Sequence, residues 1–507
     1  NSIIRKISDM GEMMADFPNL RSIHAGGILI SEEPVTCYTA LDLPPKGFPT
    51  TQFDMYVAEE IGFEKLDILS QRGIGHIYEA AEWVRKNQGV SVDVHRVQDF
   101  KEDEKVREQL RSARTIGCFY VESPAMRGLL RKLRCDSYRT LVAASSIIRP
   151  GVARSGMMKE YIYRFHHPKG FRYLHPVMEE QLKETYGVMV YQEDVLKICH
   201  HFAGLDLADA DVIRRAMSGK YRSKKELQRI IDKFFANCRE MGYPEEVTKE
   251  VWRQIESFAG YSFSKAHSAS YAVESYQSLY LKAHYPLEFI TGVINNFGGF
   301  YASWVYFNEA KVSGAGLHAP CVNHSEYKTC IRGKDIWLGF IHVANLEASI
   351  GQAISCSRSG TPQSRSETPF TGLEDFVRRV SVTLEQLVIL IRVGAFRFTG
   401  KPKAALLWEA YMVLGGGLGK RTGGQADGRS GEPAERMAGG KEVALFPVPV
   451  ARRFELPVLE QDIVADVYDE IELLGFPVTY SYFDLLVTAF RGDILAHEMG
   501  EHVGKSV

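Results

Sequence analysis

The 507-residue chain has no Cys-x-x-Cys pair, no uninterrupted apolar run of membrane-spanning length and a formal net charge of only -2. Its eight cysteines (37, 118, 135, 199, 238, 321, 330, 356) are scattered. Dispersed thiols in a large chain fit a reducing cytoplasm better than a disulfide framework. Without roughly 20 consecutive apolar residues there is no transmembrane helix signal, and the start lacks the apolar block of a signal peptide. The chain opens on Asn1 rather than Met, straight into helix-like sequence, which predicts that it is excised from something longer. No internal repeat is visible. What is present is ordinary for a soluble globular protein: 45% apolar and 24% charged residues, in a length that suits three or four domains.

The near-zero net charge argues nothing in favour of nucleic acid, but its distribution does. Between Met126 and Arg172 lie 11 Lys or Arg against Asp136 and Glu160; between Arg214 and Lys233 lie 8 against Glu226 and Asp232. Like charge concentrated in this way calls for a counter-charge, and a phosphate backbone is the usual one. A solvated basic surface is the alternative.

Along the chain, residues 1 to about 75 read as a helix followed by strands, with GGILI at 26–30 and the alternating GFEKLDIL at 62–69. From about 75 to 300 the pattern is helical. Leu227, Ile230, Ile231, Phe234, Phe235 and Cys238 recur at helical spacing, and Pro244 with Glu245 and Glu246 opens a helix carrying Val247, Val251 and Ile255. Residues 301–342 read as irregular structure and strands, and 343–412 as short helices broken by a polar loop at 356–368. The Gly-rich stretch 415–441 reads as a linker.

Three constellations carry chemistry. In GFEKLDIL, strand alternation places Phe63, Lys65 and Asp67 on one open face and sends Leu66 and Ile68 towards the core. A carboxylate beside an ammonium can hold a divalent metal and a phosphate, as phosphoryl transfer needs; a surface ion pair is the bland reading. In GLDLADADVIRRAMSGK, 204–220, Arg214 and Arg215 lead into a basic glycine-bearing loop, and guanidinium pairs bidentately with phosphate. Asp206, Asp209 and Asp211 are read as acidic residues favoured at a helix start. In FAGYSFSKAHSASYA, 258–272, Lys265 and His267 in a small-residue loop could meet phosphate or pass a proton to leaving pyrophosphate, with Tyr261, Phe263 and Tyr271 stacking on a base. A helix cap with packed aromatics is the alternative.

Two further patterns fail. His318, Cys321, His324 and Cys330 do not match a standard zinc spacing, and GGGLGKRT at 415–422 lacks the first glycine and the final Ser or Thr of a phosphate loop. EVALF at 442–446 either docks an apolar Leu-Phe pair into a partner or starts a strand.

Taken in order, HAGGILIS (24–31), TQFDM (51–55), GFEKLDIL, SIIRPGVARSGM (146–157), YGVMVYQEDV (186–195), VIRRAM (212–217), FAGYSFSKAHSASYA, LEDFVRR (373–379) and DEIELLGFP (469–477) resemble the bacterial DNA polymerase III alpha subunit, a family C replicative polymerase. The resemblance covers nearly the whole chain. It implies a multidomain, mainly α fold with α/β portions: a partial polymerase-beta-like palm, a large helical fingers domain and a helix-hairpin-helix-like clamp-binding region. Residues 1–74 would be a thumb and palm remnant carrying the third catalytic Asp, 75–335 the fingers, and 336–414 the helix-hairpin-helix-like region. Residues 415–454 would be a linker with a sliding-clamp motif, and 455–507 the lead-in to a truncated OB domain.

By the same resemblance, Asp67 would be the catalytic metal-binding carboxylate, and Lys65, Arg214, Arg215, Lys265 and His267 would line the nucleotide site. Arg149, Arg154 and Lys220 would contact DNA, and Leu445 and Phe446 the clamp. The implied chemistry is nucleotidyl transfer from a dNTP to a primer 3′-hydroxyl with two Mg2+ ions. The implied partners are primer-template DNA, dNTPs, the sliding clamp (beta subunit) and other replicase subunits, with no membrane, in a bacterial cytoplasm at the nucleoid. By the resemblance, the family's first two carboxylates, an Asp-x-Asp pair, would lie upstream of Asn1, so the fragment is expected to be inactive alone; the alternative is a non-catalytic DNA- and clamp-binding module. This sequence departs from the family at Ser264 (usually Asn), Ala266 (usually Ser) and Glu442 (usually Gln), and Val343-Ala344-Asn345-Leu346 lacks a Gly-x-Gly hairpin.

Overall fold

Glycine, strand-forming residues and one large aromatic decide the first unit. In this computed structural model, which describes residues 2–15, 27–44, 47–68, 71–148, 156–217, 224–257, 264–358, 368–415 and 463–486, the chain divides into two compact units, 1–72 and 73–507. The first contains α1 (Ser2–Met13), β1 (Gly27–Ile30), β2 (Leu41–Asp42), β3 (Thr50–Thr51), α2 (Met55–Ile61) and β4 (Glu64–Asp67). β1 and β4 pair antiparallel with Gly27 opposite Asp67 and Leu29 opposite Lys65, and β2 pairs with β3. Phe63, 8% exposed, packs against Tyr38 and Phe53 and donates its backbone N–H to Ala58.

This reverses the expected facing of the strand. Leu66 and Ile68 are 47% and 60% exposed, and Ile28 and Ile30 on β1 are exposed as well. The face that holds Phe63 and Lys65 is the covered one. A two-stranded ladder has only as much core as its neighbours supply, and here the largest apolar ring takes the covered side.

The second unit is helical. α3 (Arg72–Gln88), α4 (Val97–Glu102), α5 (Glu104–Arg111), α6 (Pro124–Leu133), α7 (Tyr138–Ile147) and α8 (Met157–His166) come first. Starts are set by capping: Asp103, Ser123 and Ser137 accept N–H groups of Val106, Met126 and Thr140. α9 (Pro176–Leu182), α10 (Gln192–His201), α11 (Leu207–Met217), α12 (Lys224–Glu240) and α13 (Glu245–Ser257) form a separate layer. Its own apolar cluster includes Val195, Ile198, Ile213, Ile230, Phe234, Cys238, Val251 and Ile255. The stripes read from the sequence on α12 and α13 are the faces that build it.

The long α14 (Lys265–His284) packs against α7, α5, α4 and the following α15 (Pro286–Asn295), burying Ala272, Tyr276 and Leu279 in the larger cluster. Residues 303–312, expected as irregular structure or strand, form α16 (Ser303–Val312), because Tyr306, Phe307 and Ala310 bury one helical face. β5 (Gly316–His318), β6 (Cys330–Arg332) and β7 (Asp335–Trp337) follow in the order β5-β7-β6. His318 and His324 stack on Trp337 at 4.1 and 4.2 Å, while Cys321 and Cys330 are buried.

α17 (Ala348–Arg358), α18 (Leu373–Arg379), α19 (Leu384–Arg392) and α20 (Lys403–Gly415) continue the larger cluster. Where a hairpin glycine is missing, Asn345 takes φ 61, a left-handed conformation that Asn tolerates best after Gly. Residues 463–486, expected to lead into an OB domain, contain α21 (Ile463–Leu474), which docks on α19 through Arg392 to Asp469 and Glu472. Glu470, fully buried, receives Arg397, the Thr479 hydroxyl and the backbone N–H groups of Val478 and Thr479. No described helix is long and apolar enough to cross a membrane.

Candidate functional site

In the first unit, the Lys65 ammonium lies 3.5 Å from the Asp67 carboxylate and 3.9 Å from Glu59. The Lys65 side chain is 17% exposed and that of Asp67 52%, so the cation is embedded along its stem while the carboxylate stands in solvent. The strand face is therefore not open at Lys65, as expected from alternation alone, but it is open at Asp67. Among the described residues, no three His, Cys, Asp or Glu side chains converge as a metal site.

In the second unit, two residues far apart in sequence touch the N-terminus of α10, Arg214 through its guanidinium and Lys265 through its backbone N–H. Arg214, on α11, donates from Nη1 to the Gln192 side-chain oxygen at 3.2 Å and from Nε to Asp211 at 2.8 Å. Arg215 pairs with the same Asp211 at 2.9 Å. Lys265 donates its backbone N–H to the Glu193 carboxylate, whose oxygens lie at 3.1 and 2.9 Å. Its ammonium reaches Glu184 at 2.5 Å and sits 5.3 Å from the Tyr191 ring. These pairs are half exposed, and exposed ion pairs contribute at most about 1 kcal/mol each, so an anion of higher charge can displace them.

Lys265 and His267 are not in a loop, as expected, but in the first turn of α14, with Ser264 as N-cap accepting the His267 N–H at 3.2 Å. Polar small residues ahead of an apolar helix are a start signal as much as a loop signal. The His267 ring lies 4.1 Å from Tyr271, which packs edge-on against Phe119 and Tyr120. α14 is fixed to α7 by Ser268 with Ser146 at 2.6 Å and by the Tyr138 hydroxyl donating to Ala269 at 2.7 Å.

The acidic residues before Arg214 are more than helix-start charges. Asp206 accepts the Asp209 N–H at 2.8 Å as a cap, but Asp209 also binds Lys233 at 2.6 Å and Arg229 at 3.2 Å on α12. Part of the basic run from 214 to 233 is thus neutralised within the fold. Elsewhere Arg127 donates to the Ala113 carbonyl, and Arg164 binds Glu160 and the Tyr186 carbonyl. Gln192 and Glu193 lie within the string YGVMVYQEDV but form no chemistry-bearing pattern of their own, and Glu184 forms none either. Next to them, Asp194 accepts the N–H groups of Val190 and Tyr191, and burial pushes its carboxyl up to about 6. Arg149, Arg154, Lys220, Tyr261, Phe263, Leu445 and Phe446 lie outside the described residues.

A helical layer presents arginines on one helix and a lysine at the start of another, and comparison with known proteins gives its family. Residues 74–242 match the bacterial DNA polymerase III alpha subunit finger domain, 1–70 the bacterial DNA polymerase III alpha NTPase domain, and 314–406 a helix-hairpin-helix motif. The chain is 34% identical over 390 residues to a DNA polymerase III subunit alpha of Aquifex aeolicus, covering 76% of this chain and 33% of that protein. It is 34% identical over 407 residues to the subunit of the same name from Staphylococcus aureus strain COL, covering 79% of this chain and 37% of that protein. The chain belongs to the bacterial DNA polymerase III alpha subunit family. It spans about a third of the length of these curated relatives.

Proposed function

We propose that the chain carries the incoming-nucleotide site of a DNA-directed DNA polymerase that joins dNTPs to a primer 3′-hydroxyl. The observation that supports this reading is that the Arg214 guanidinium and the Lys265 backbone N–H, 51 positions apart in the chain, are held by the two adjacent residues Gln192 and Glu193. Arg214, Arg215 and Lys265 neutralise a triphosphate and the leaving pyrophosphate, and His267 can pass a proton to it. Arg149, Arg154 and Lys220 serve primer-template DNA, and Leu445 with Phe446 a sliding clamp, in a cytoplasmic replicase with further subunits.

Asp67 fits one carboxylate ligand of a hard divalent cation, Mg2+ by its oxygen chemistry. Asp67 alone falls short of the donor set that two ions demand, and the Lys65 ammonium 3.5 Å away adds no ligand oxygen. Such ions, when bound, supply charge stabilisation at the attacking and leaving oxygens.

In a polymerase carrying this sequence, Asp67→Ala is expected to abolish primer extension and to leave primer-template binding within twofold. Extension at the unaltered rate would overturn the assignment. Binding of dATP that is weakened by Arg214→Ala and Lys265→Ala separates this reading from that of a non-catalytic DNA- and clamp-binding module, which binds DNA and no nucleotide.

A further inference from the structure

We infer that Gln192 and Glu193, at the start of α10, are positioning residues that set the distance between the arginine pair on α11 and Lys265 with His267 on α14; this rests on the nucleotide-site reading above. The two cation-bearing helices take their apolar anchors from different cores. α11 buries Ala210, Val212 and Ile213 in the smaller cluster, and α14 buries Ala272, Tyr276 and Leu279 in the larger one. The start of α10 lies at the border of both, since Val190 and Tyr191 belong to the larger cluster and Val195 and Ile198 to the smaller. Apolar burial is non-directional and leaves sliding between two cores weakly specified. Hydrogen bonds with fixed geometry supply the missing register.

Each of the two residues addresses one side. The Gln192 oxygen accepts from Arg214 Nη1 at 3.2 Å, the guanidinium edge that Asp211 does not take through Nε. The Glu193 carboxylate accepts the backbone N–H of Lys265, one of the orphan amides of the first turn of α14. It therefore orients the helix start and not the ammonium, which is engaged by Glu184. A carboxylate would repel a triphosphate, so the place of Glu193 among phosphate-binding cations is explained by what it holds. The buried Asp194 completes the arrangement by tying α10 back to the N–H groups of Val190 and Tyr191 at 2.9 Å each.

The test is dATP binding to the full 507-residue chain by isothermal titration calorimetry, with the melting temperature recorded for every variant. Glu193→Ala and Gln192→Ala are each expected to weaken dATP binding about tenfold, the scale of one lost hydrogen bond to a charged group. Glu193→Gln, which keeps an acceptor for the Lys265 N–H, should restore binding to within about threefold of the original, with melting unchanged. Weakening by Arg214→Ala and Lys265→Ala while Glu193→Ala and Gln192→Ala bind normally overturns this inference and leaves the site standing. So does a Glu193→Gln variant as weak as Glu193→Ala. Failure of the unaltered chain to bind dATP, or binding indifferent to Arg214→Ala and Lys265→Ala, overturns the nucleotide site itself and the inference with it.

Discussion

Glu274 gives a quantitative handle on the helix that carries Lys265. It lies mid-way along α14, 8% exposed, with Oε1 accepting no hydrogen bond and packed beside Gly73 and the Phe119 ring. Burial alone pushes its carboxyl up from 4.5 to about 7. The folded chain therefore holds this proton at pH values where the unfolded chain has released it. Its contribution to stability is full below pH 4.5 and is lost as the pH rises through 7. At about 1.4 kcal/mol per pH unit, the interval amounts to about 3 kcal/mol as an upper bound, because relaxation and water entry soften the burial. Glu274→Gln removes the titration while keeping the shape. Urea unfolding of the second unit, followed at pH 5, 6, 7 and 8, should show the variant equal to the original within about 1 kcal/mol at pH 5. At pH 8 it should be about 2–3 kcal/mol more stable. A difference between the two chains that stays constant from pH 5 to 8 would refute the assignment of this carboxyl as the source.

Gly73→Ala should lower the melting temperature, because the added methyl lands on Glu274 Oε1 and the Phe119 ring, at a cost of about 1–3 kcal/mol. Gly128→Ala in α6, where nothing lies within 4 Å, should instead stabilise by about 0.5–1 kcal/mol. Glu470→Ala removes the acceptor for Arg397, Val478 and Thr479 and should cost about 3–5 kcal/mol, read as loss of amide protection in α21 by hydrogen exchange. Protection of α21 equal to the original would contradict its anchoring role.

Patterns that depend on one element were legible in the sequence. The stripe of Leu227, Ile230, Phe234 and Cys238 announced α12 and its buried face, and Pro244 with its two glutamates announced α13. Family strings announced the fingers. Patterns that depend on a neighbour were not. The facing of β4 turned on whether Phe63 or Leu66 meets a covering partner, and alternation is symmetric between the two. Aromatic, β-branched Ser-Trp-Val-Tyr-Phe reads as strand, and only packing of Tyr306 and Ala310 makes α16. The contacts of Lys265 with Glu193 and Glu184 join residues 72 and 81 positions apart, and no local signal encodes such distances. Charge counting likewise weighs Arg229 and Lys233 with the rest of the basic run, although Asp209 on the preceding helix already pairs with both.

Photolabelling locates the nucleotide most directly. A dATP bearing an aryl azide on its γ-phosphate, irradiated with the 507-residue chain and followed by peptide mapping, should label the stretch around Arg214 and Arg215 and the first turn of α14 at Lys265 and His267. Unlabelled dATP in excess should erase both signals. Competable label on the three-stranded sheet around Trp337 or on α18 to α20, with neither of those stretches marked, would contradict the account.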